Sequence, residues 1–247
     1  MAIKTTLNYS PNFNSKKRKP SQIKFIIFHY TGMKSEKEAV DRLTDIKSQV
    51  SSHYLIKNNG KIITLVPDLY IAWHAGISSW KNYKSLNKNS IGIEIANPGH
   101  NFKYKKFSKA QINGLVNLSK FLIKKYKIKS KNILGHSDIA PERKKDPGEK
   151  FPWEFLSKKG ISYWYDLNQT QLMMNRKLKI NIKEEKLFIS NLSKIGYQKK
   201  TSNHLNLNQT KFKKIITKAF QRRFRPEIVD GNIDKECLII SENLIKK

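Results

Sequence analysis

The sequence predicts an α/β chain with a mixed central sheet flanked by helices, followed by a small C-terminal three-helix domain. Short apolar, β-branched runs alternate with helix-periodic stretches through the first 140 residues. An Asn-Gly pair sits between two β-rich runs. Beyond Trp153 the strand signals stop and only helical patterns return. Strand, helix, hairpin, strand, helix, strand in that order favours a sheet with helices packed on it.

Residues 1–21 are polar, end in Lys16-Lys17-Arg18-Lys19-Pro20 and read as a surface arm. Ile23–His29 is a buried strand. Glu36–Ser48 sets Ala39, Val40, Leu43 and Ile46 at helical spacing among charges, an amphipathic helix. His53–Ile56 and Ile62–Val66 flank Lys57-Asn58-Asn59-Gly60 and predict a hairpin. Ser90–Ala96 is a further strand. Ser108–Tyr126 is a long helix capped by Ser108, with Leu115, Leu118, Phe121 and Leu122 inward. Ile133–Leu134 is a short strand ending at Gly135-His136. These elements make a domain over 22–162. Residues 163–179 read as a polar-aromatic linker, and 180–247 as a separate bundle with helices at Glu184–Leu192, Gln209–Arg223 and Lys235–Ile245.

Composition limits the function. A hydrophobic share of 38% fills a core, and no apolar run is long enough to cross a bilayer. The N-terminus has no apolar signal core, which points to the cytoplasm. The single cysteine, Cys237, precludes an internal disulfide. The net charge of +30 admits nucleic-acid binding, attraction to an acidic polymer, or compositional bias towards Lys. Only seven of the 49 basic residues are arginine, the usual phosphate reader, so no specific nucleic-acid partner is expected.

Two of the six histidines end strands: His29 closes Phe25-Ile26-Ile27-Phe28, and His136 follows Ile133-Leu134-Gly135. Asp146 follows ten residues later in Lys-Lys-Asp-Pro-Gly. Two imidazoles and a carboxylate with a fourth position for water make a catalytic zinc site. A lone strand-end histidine is more often structural, and the surrounding motifs decide between the readings. They run Phe28-His29-Tyr30-Thr31-Gly32, Ser52-His53-Tyr54-Leu55-Ile56, Ala72-Trp73-His74-Ala75-Gly76, Ser90-Ile91-Gly92-Ile93-Glu94-Ile95, Gly135-His136-Ser137-Asp138-Ile139-Ala140-Pro141, Arg143-Lys144-Lys145-Asp146-Pro147-Gly148 and Phe151-Pro152-Trp153.

In this order, over about residues 21–160, they resemble the zinc N-acetylmuramoyl-L-alanine amidases of the AmpD- and AmiD-like kind (amidase type 2), and more distantly the peptidoglycan recognition proteins. The resemblance implies one zinc per chain on His29, His136 and Asp146. It implies that Glu94 handles the attacking water and Lys144 steadies the oxyanion. The substrate it implies is the muramoyl–L-alanine amide of peptidoglycan or of muropeptides. The chemistry agrees: a polarised carbonyl needs a base for water, and the negative oxygen needs a fixed cation.

Three residues are candidate substrate contacts. Arg143 suits a carboxylate, or is an ordinary surface arginine. His74 and Trp80 lie in a loop able to line the cleft, and Trp80 either stacks on a sugar or caps the core. His53 reads as structural, His100 and His204 as solvated. Ile216-Thr217-Lys218-Ala219-Phe220-Gln221-Arg222-Arg223-Phe224-Arg225-Pro226 with Val229-Asp230-Gly231 resembles the second half of a three-helix peptidoglycan-binding domain. That domain points to the periplasm or cell envelope, against the cytoplasmic reading of the N-terminus. The rival functions are a wall-binding module without turnover and, less well supported, a nucleic-acid-binding protein. Because the linker is polar, removing residues 178–247 is expected to spare turnover of small muropeptides.

Overall fold

The structure, a computed structural model, describes residues 3–198 and 208–247; His204 lies outside them. Its strands are β1 (Thr6–Leu7), β2 (Phe13–Asn14), β3 (Phe25–Tyr30), β4 (Tyr54–Ile56), β5 (Ile62–Thr64), β6 (Ile71–Ala72), β7 (Ser79–Trp80), β8 (Tyr83–Lys84), β9 (Ser90–Ile95) and β10 (Ile133–Gly135). Its helices are α1 (Glu36–Thr44), α2 (Lys109–Tyr126), α3 (His136–Ile139), α4 (Trp153–Lys158), α5 (Gln169–Asn175), α6 (Ile182–Ile195), α7 (Gln209–Phe224) and α8 (Lys235–Lys246). No helix among the described residues is long and apolar enough to cross a membrane.

The main sheet has the order β1-β5-β4-β9-β3-β10. β3 runs parallel to both β9 and β10, and only the β4–β5 hairpin is antiparallel, so the sheet is mixed as expected. Two faces are covered, which is why β3 and β9 are apolar almost throughout rather than alternating. The hairpin turns at Gly60, whose φ of +80° suits glycine. Leu115, Leu118 and Leu122 of α2 are fully buried, and Ser108 caps the helix by accepting from Gln111 N.

The α1 pattern stops early. Asp45 is extended and accepts from Lys47 N to start a short 3-10 turn, so Ile46 leaves the helix face and is 67% exposed. The N-terminal arm is part of the fold. β1 pairs with β5, and β2 pairs with β6. Arg18, 4% exposed, donates to the carbonyls of Asp68, Asn87 and Lys88. Asn12 Nδ2 donates to Asp45 O and Val50 O.

The segment expected as a linker carries α5 and buries Trp164 and Leu172 in the common core. α6, α7 and α8 pack through Phe188, Leu192, Ile216, Phe220, Phe224, Leu238 and Leu244. A polar knot ties them to the sheet. Asp138 of α3 accepts from Arg223 Nη1 at 2.6 Å, Tyr197 OH at 2.8 Å and Gly135 N at 2.8 Å. Arg223 also donates to Ile133 O and lies 4.3 Å from the Trp153 ring centre. The charges are paired and hydrogen-bonded, as burial requires.

Candidate metal centre and active site

Parallel pairing builds the site. His29 and Glu94 are direct neighbours on β3 and β9, at the carboxyl ends of the strands. Gly135 closes β10 opposite Phe28, so His136, the first residue of α3, stands beside His29. Ser137 N donates to Asp146 O and fixes the returning loop. The three sequence-predicted ligands therefore meet: His29 Nδ1 and His136 Nδ1 are 3.0 Å apart, and Asp146 Oδ2 is 2.9 Å from the first and 3.0 Å from the second. All three side chains are buried.

The contact pattern suits a cation. His136 Nε2 faces Ala75 O at 3.1 Å, a carbonyl that can only accept, so Nδ1 of the neutral ring is bare. His29 Nε2 faces His74 Nδ1 at 3.1 Å. His74 Nε2 reaches Ser90 Oγ at 3.2 Å, and Ser90 donates onward to Leu86 O. With each distal N–H donating away from the centre, three lone-pair-bearing atoms face one another. A tetrahedral metal with ligands at about 2.0–2.1 Å separates its donors by roughly 3.3 Å, close to this triangle. Outward hydrogen bonds of this kind orient metal-binding imidazoles.

Electrostatics agree with bare donors at His29 and Asp146. Burial and the neighbouring His136 lower the His29 pKa to about 4. Burial works to raise the Asp146 carboxyl, but His136 and His29 outweigh it and hold it well below the usual carboxylate range. Burial, then the charge of Asp146, raises Glu94 to about 8, with Lys144 opposing. Glu94 Oε2 is buried without a hydrogen-bond partner among the described residues. It lines a cleft of about 380 Å³ together with the three ligands, Arg143 and Lys144.

The substrate-contact candidates divide. Arg143 lines the cleft, but its fork is engaged: Nη2 donates to Ala75 O at 2.6 Å and Ile77 O at 2.5 Å, and Nε to Ile77 O at 3.1 Å. His74 lies behind His29, 8% exposed. Trp80 does not reach the cleft: it is 2% exposed, packed on Tyr197 and against Gly196, so it cannot stack on a sugar there. His53 is structural, its Nδ1 accepting from Gly92 N. His100 is not solvated. It bonds Tyr30 OH and Glu149, stacks on Tyr104 and lines the cleft. Tyr30 and Trp73 also line the cleft. Each adjoins a histidine singled out in the sequence, and that adjacency was the available signal.

A three-donor metal site with an open cleft and an acid on the cleft wall defines a metal-assisted hydrolase. The N-acetylmuramoyl-L-alanine amidase family matches residues 19–149, and the chain belongs to this family and is an enzyme of that class. The Escherichia coli N-acetylmuramoyl-L-alanine amidase AmiD is 37% identical over 92% of this chain and 83% of its own length. The 1,6-anhydro-N-acetylmuramyl-L-alanine amidase AmpD of Haemophilus influenzae is 32% identical over 59% of this chain and 86% of its own. The structure of E. coli AmiD with anhydro-N-acetylmuramic acid-L-Ala-D-γ-Glu-L-Lys superposes with a TM-score of 0.79 at 36% identity, covering 91% of this chain and 89% of that one. AmpDh3 of Pseudomonas aeruginosa, complexed with anhydromuramic pentapeptide, superposes at 0.78 with 30% identity and covers 96% of both chains.

Proposed function

We propose that the cleft hydrolyses the amide between the lactyl group of N-acetylmuramic or anhydro-muramic acid and L-alanine, with one zinc per chain on His29, His136 and Asp146. The observation that carries this reading is the triangle of bare donors beside Glu94, whose Oε2 is buried without a hydrogen-bond partner among the described residues. The ligands named for the AmiD and AmpDh3 complexes supply the substrate class. Zinc held there supplies Lewis acidity, polarising the scissile carbonyl and easing deprotonation of water.

Glu94 takes the proton as the water oxygen bonds to the carbonyl carbon. It returns that proton to the alanine nitrogen as the C–N bond breaks. Burial and Asp146 push the Glu94 carboxyl up, which suits the proton donor of the second step, while the positive charges facing it, Lys144 and a cation on the donor triangle, favour the carboxylate that the first step needs. The Lys144 ammonium, on the cleft wall, balances the negative oxygen. The helices of 180–247 serve to hold the wall polymer. A fragment-recycling enzyme belongs in the cytoplasm and a wall-degrading one in the envelope, and fractionation of native cells separates these.

The test is peptide release from anhydro-muropeptide by native, chelator-stripped, His136→Ala and Glu94→Gln proteins, with zinc counted in each. Stripping and H136A are expected to abolish both zinc and turnover. E94Q is expected to keep zinc and lose roughly 10²–10⁴ in rate. Full turnover by thoroughly stripped protein would overturn the proposal.

A further inference from the structure

Two of the three metal ligands stand at the ends of regular elements, His29 on β3 and His136 at the start of α3. Asp146 does not. It lies in the connection 140–152 between α3 and α4, and a loop fixes a side chain less well than a strand or helix end. Ser137 N holds the Asp146 carbonyl from one side. Residues 147–150 make no backbone-to-backbone hydrogen bond to another element among the described residues.

A second loop, 96–108 between β9 and α2, supplies what the backbone does not. It is anchored at its root. Asn97 Nδ2 donates to Lys105 O at 2.8 Å, Asn97 Oδ1 accepts from Gly99 N, and Asn97 O accepts from Thr31 Oγ1 and Gly32 N. From there it meets 147–151 residue by residue. The Tyr104 hydroxyl donates to Pro147 O at 2.7 Å and accepts from Lys150 N at 3.0 Å. Lys150 Nζ donates back to Tyr104 O at 2.6 Å. Gly148 passes so close that an added Cβ would lie 2.5 Å from the same hydroxyl oxygen. The Glu149 carboxylate accepts from His100 Nε2 at 3.0 Å. Phe107 packs edge-on to Phe151, ring centres 5.4 Å apart. His100 stacks on Tyr104, and its Nδ1 meets the Tyr30 hydroxyl at 2.9 Å. Tyr30 adjoins His29, and Glu149 lies three positions beyond Asp146, so one imidazole spans the segments of the first and third ligands.

We propose that His100 and Tyr104 are positioning residues of the metal centre, holding Asp146 in reach of His29 and His136 through Tyr30, Glu149 and Pro147. The proposal rests on the zinc reading above. A donor set already in place binds the ion without first ordering a loop, so loosening the clamp lowers affinity rather than abolishing it. Outer partners of this kind are worth about 10–100-fold in metal affinity.

The test measures zinc affinity of the full chain by competition with a chromophoric chelator. Beside it stands the absorption spectrum of the cobalt(II)-substituted protein, which reports ligand geometry, with thermal unfolding of metal-free protein as the stability control. Tyr104→Phe keeps the ring and its stacking and removes only the hydroxyl. It is expected to weaken zinc about 10–100-fold and to alter the cobalt bands. The metal-free Tm is expected to fall by no more than about 4 °C. His100→Ala and Glu149→Ala are each expected to weaken zinc about tenfold, and the double variant no more than His100→Ala alone, because they share one link. Phe102→Ala, on the same loop but 38% exposed, is expected to leave affinity and bands unchanged. Native affinity and native bands in Tyr104→Phe overturn the proposal. So does a fall in Tm with affinity unchanged, or equal weakening by Phe102→Ala. Additive losses at His100 and Glu149 remove that link from it. Native protein that takes up no zinc defeats the metal reading itself and the clamp with it, whereas zinc bound equally by native and variant chains defeats the clamp alone.

Discussion

His74 adds no atom to the triangle of donors, yet it fixes a ring that does: its Nδ1 is the acceptor for His29 Nε2. Removing such an outer partner typically costs about 10–100-fold in metal affinity. His74→Ala is therefore expected to weaken zinc by that factor without preventing folding, read by competition with a chromophoric chelator; unchanged affinity would discard the relay through Ser90. Buried histidines also set the acid stability. Burial, then Arg18, lowers His53 to about 3 from 6.5, and burial and His136 lower His29 to about 4. Between the folded and unfolded values the unfolded chain binds the proton and the folded chain does not. Stability is then complete above about 6.5 and falls as pH drops through that window, by up to about 1.4 kcal/mol per pH unit for each such group. Urea unfolding of metal-free protein from pH 7 to 4 should show this slope, and His53→Gln should reduce it. A slope identical in both proteins removes His53 from the account.

At the scale of elements, α2 is held against the hairpin turn by glycines. A Cβ on Gly114 would lie 2.6 Å from Gly60 O, a backbone atom with little room to yield. Alanine favours an isolated helix over glycine by about 1 kcal/mol, while overpacking of this kind costs about 1–3 kcal/mol. Gly114→Ala is expected to lower the urea midpoint, and a raised midpoint would show that the helix shifts freely. The same scale explains what the sequence disclosed. The hairpin was legible because Asn59-Gly60 specifies a turn locally, and α2 because Leu115, Leu118 and Leu122 recur on one face behind the Ser108 cap. β1 and β2 were not, because two-residue strands carry no period. The burial of Ser10, Asn12 and Arg18 depends on partners 33 to 70 positions away. The metal ligands were readable from ordered motifs, but the side of the loop that Trp80 faces depends on Gly196 and Tyr197, far along the chain.

The whole molecule is joined at Asp138, two positions from His136. Arg223→Ala leaves a buried carboxylate without its cation, a change that typically costs about 3–5 kcal/mol. The expected result in calorimetry is a large fall in Tm together with weaker zinc retention, and a Tm within a degree of the native value would show the pair to be dispensable. The contacts also revise the truncation expected from sequence. Deleting 178–247 removes Tyr197 and Arg223 and uncovers the Trp153 and Trp164 faces, so turnover of small muropeptides should suffer as well as that of wall polymer. The knot also has a timetable. Tyr197 and Arg223 lie 59 and 85 residues downstream of Asp138. At a synthesis rate of about 5–20 residues per second, Arg223 is made roughly 4–17 s after the acid it neutralises. Until then the Asp138 carboxylate, two positions from a metal ligand, has no cation to pair with, so the amidase fold is completed only once α7 has been made.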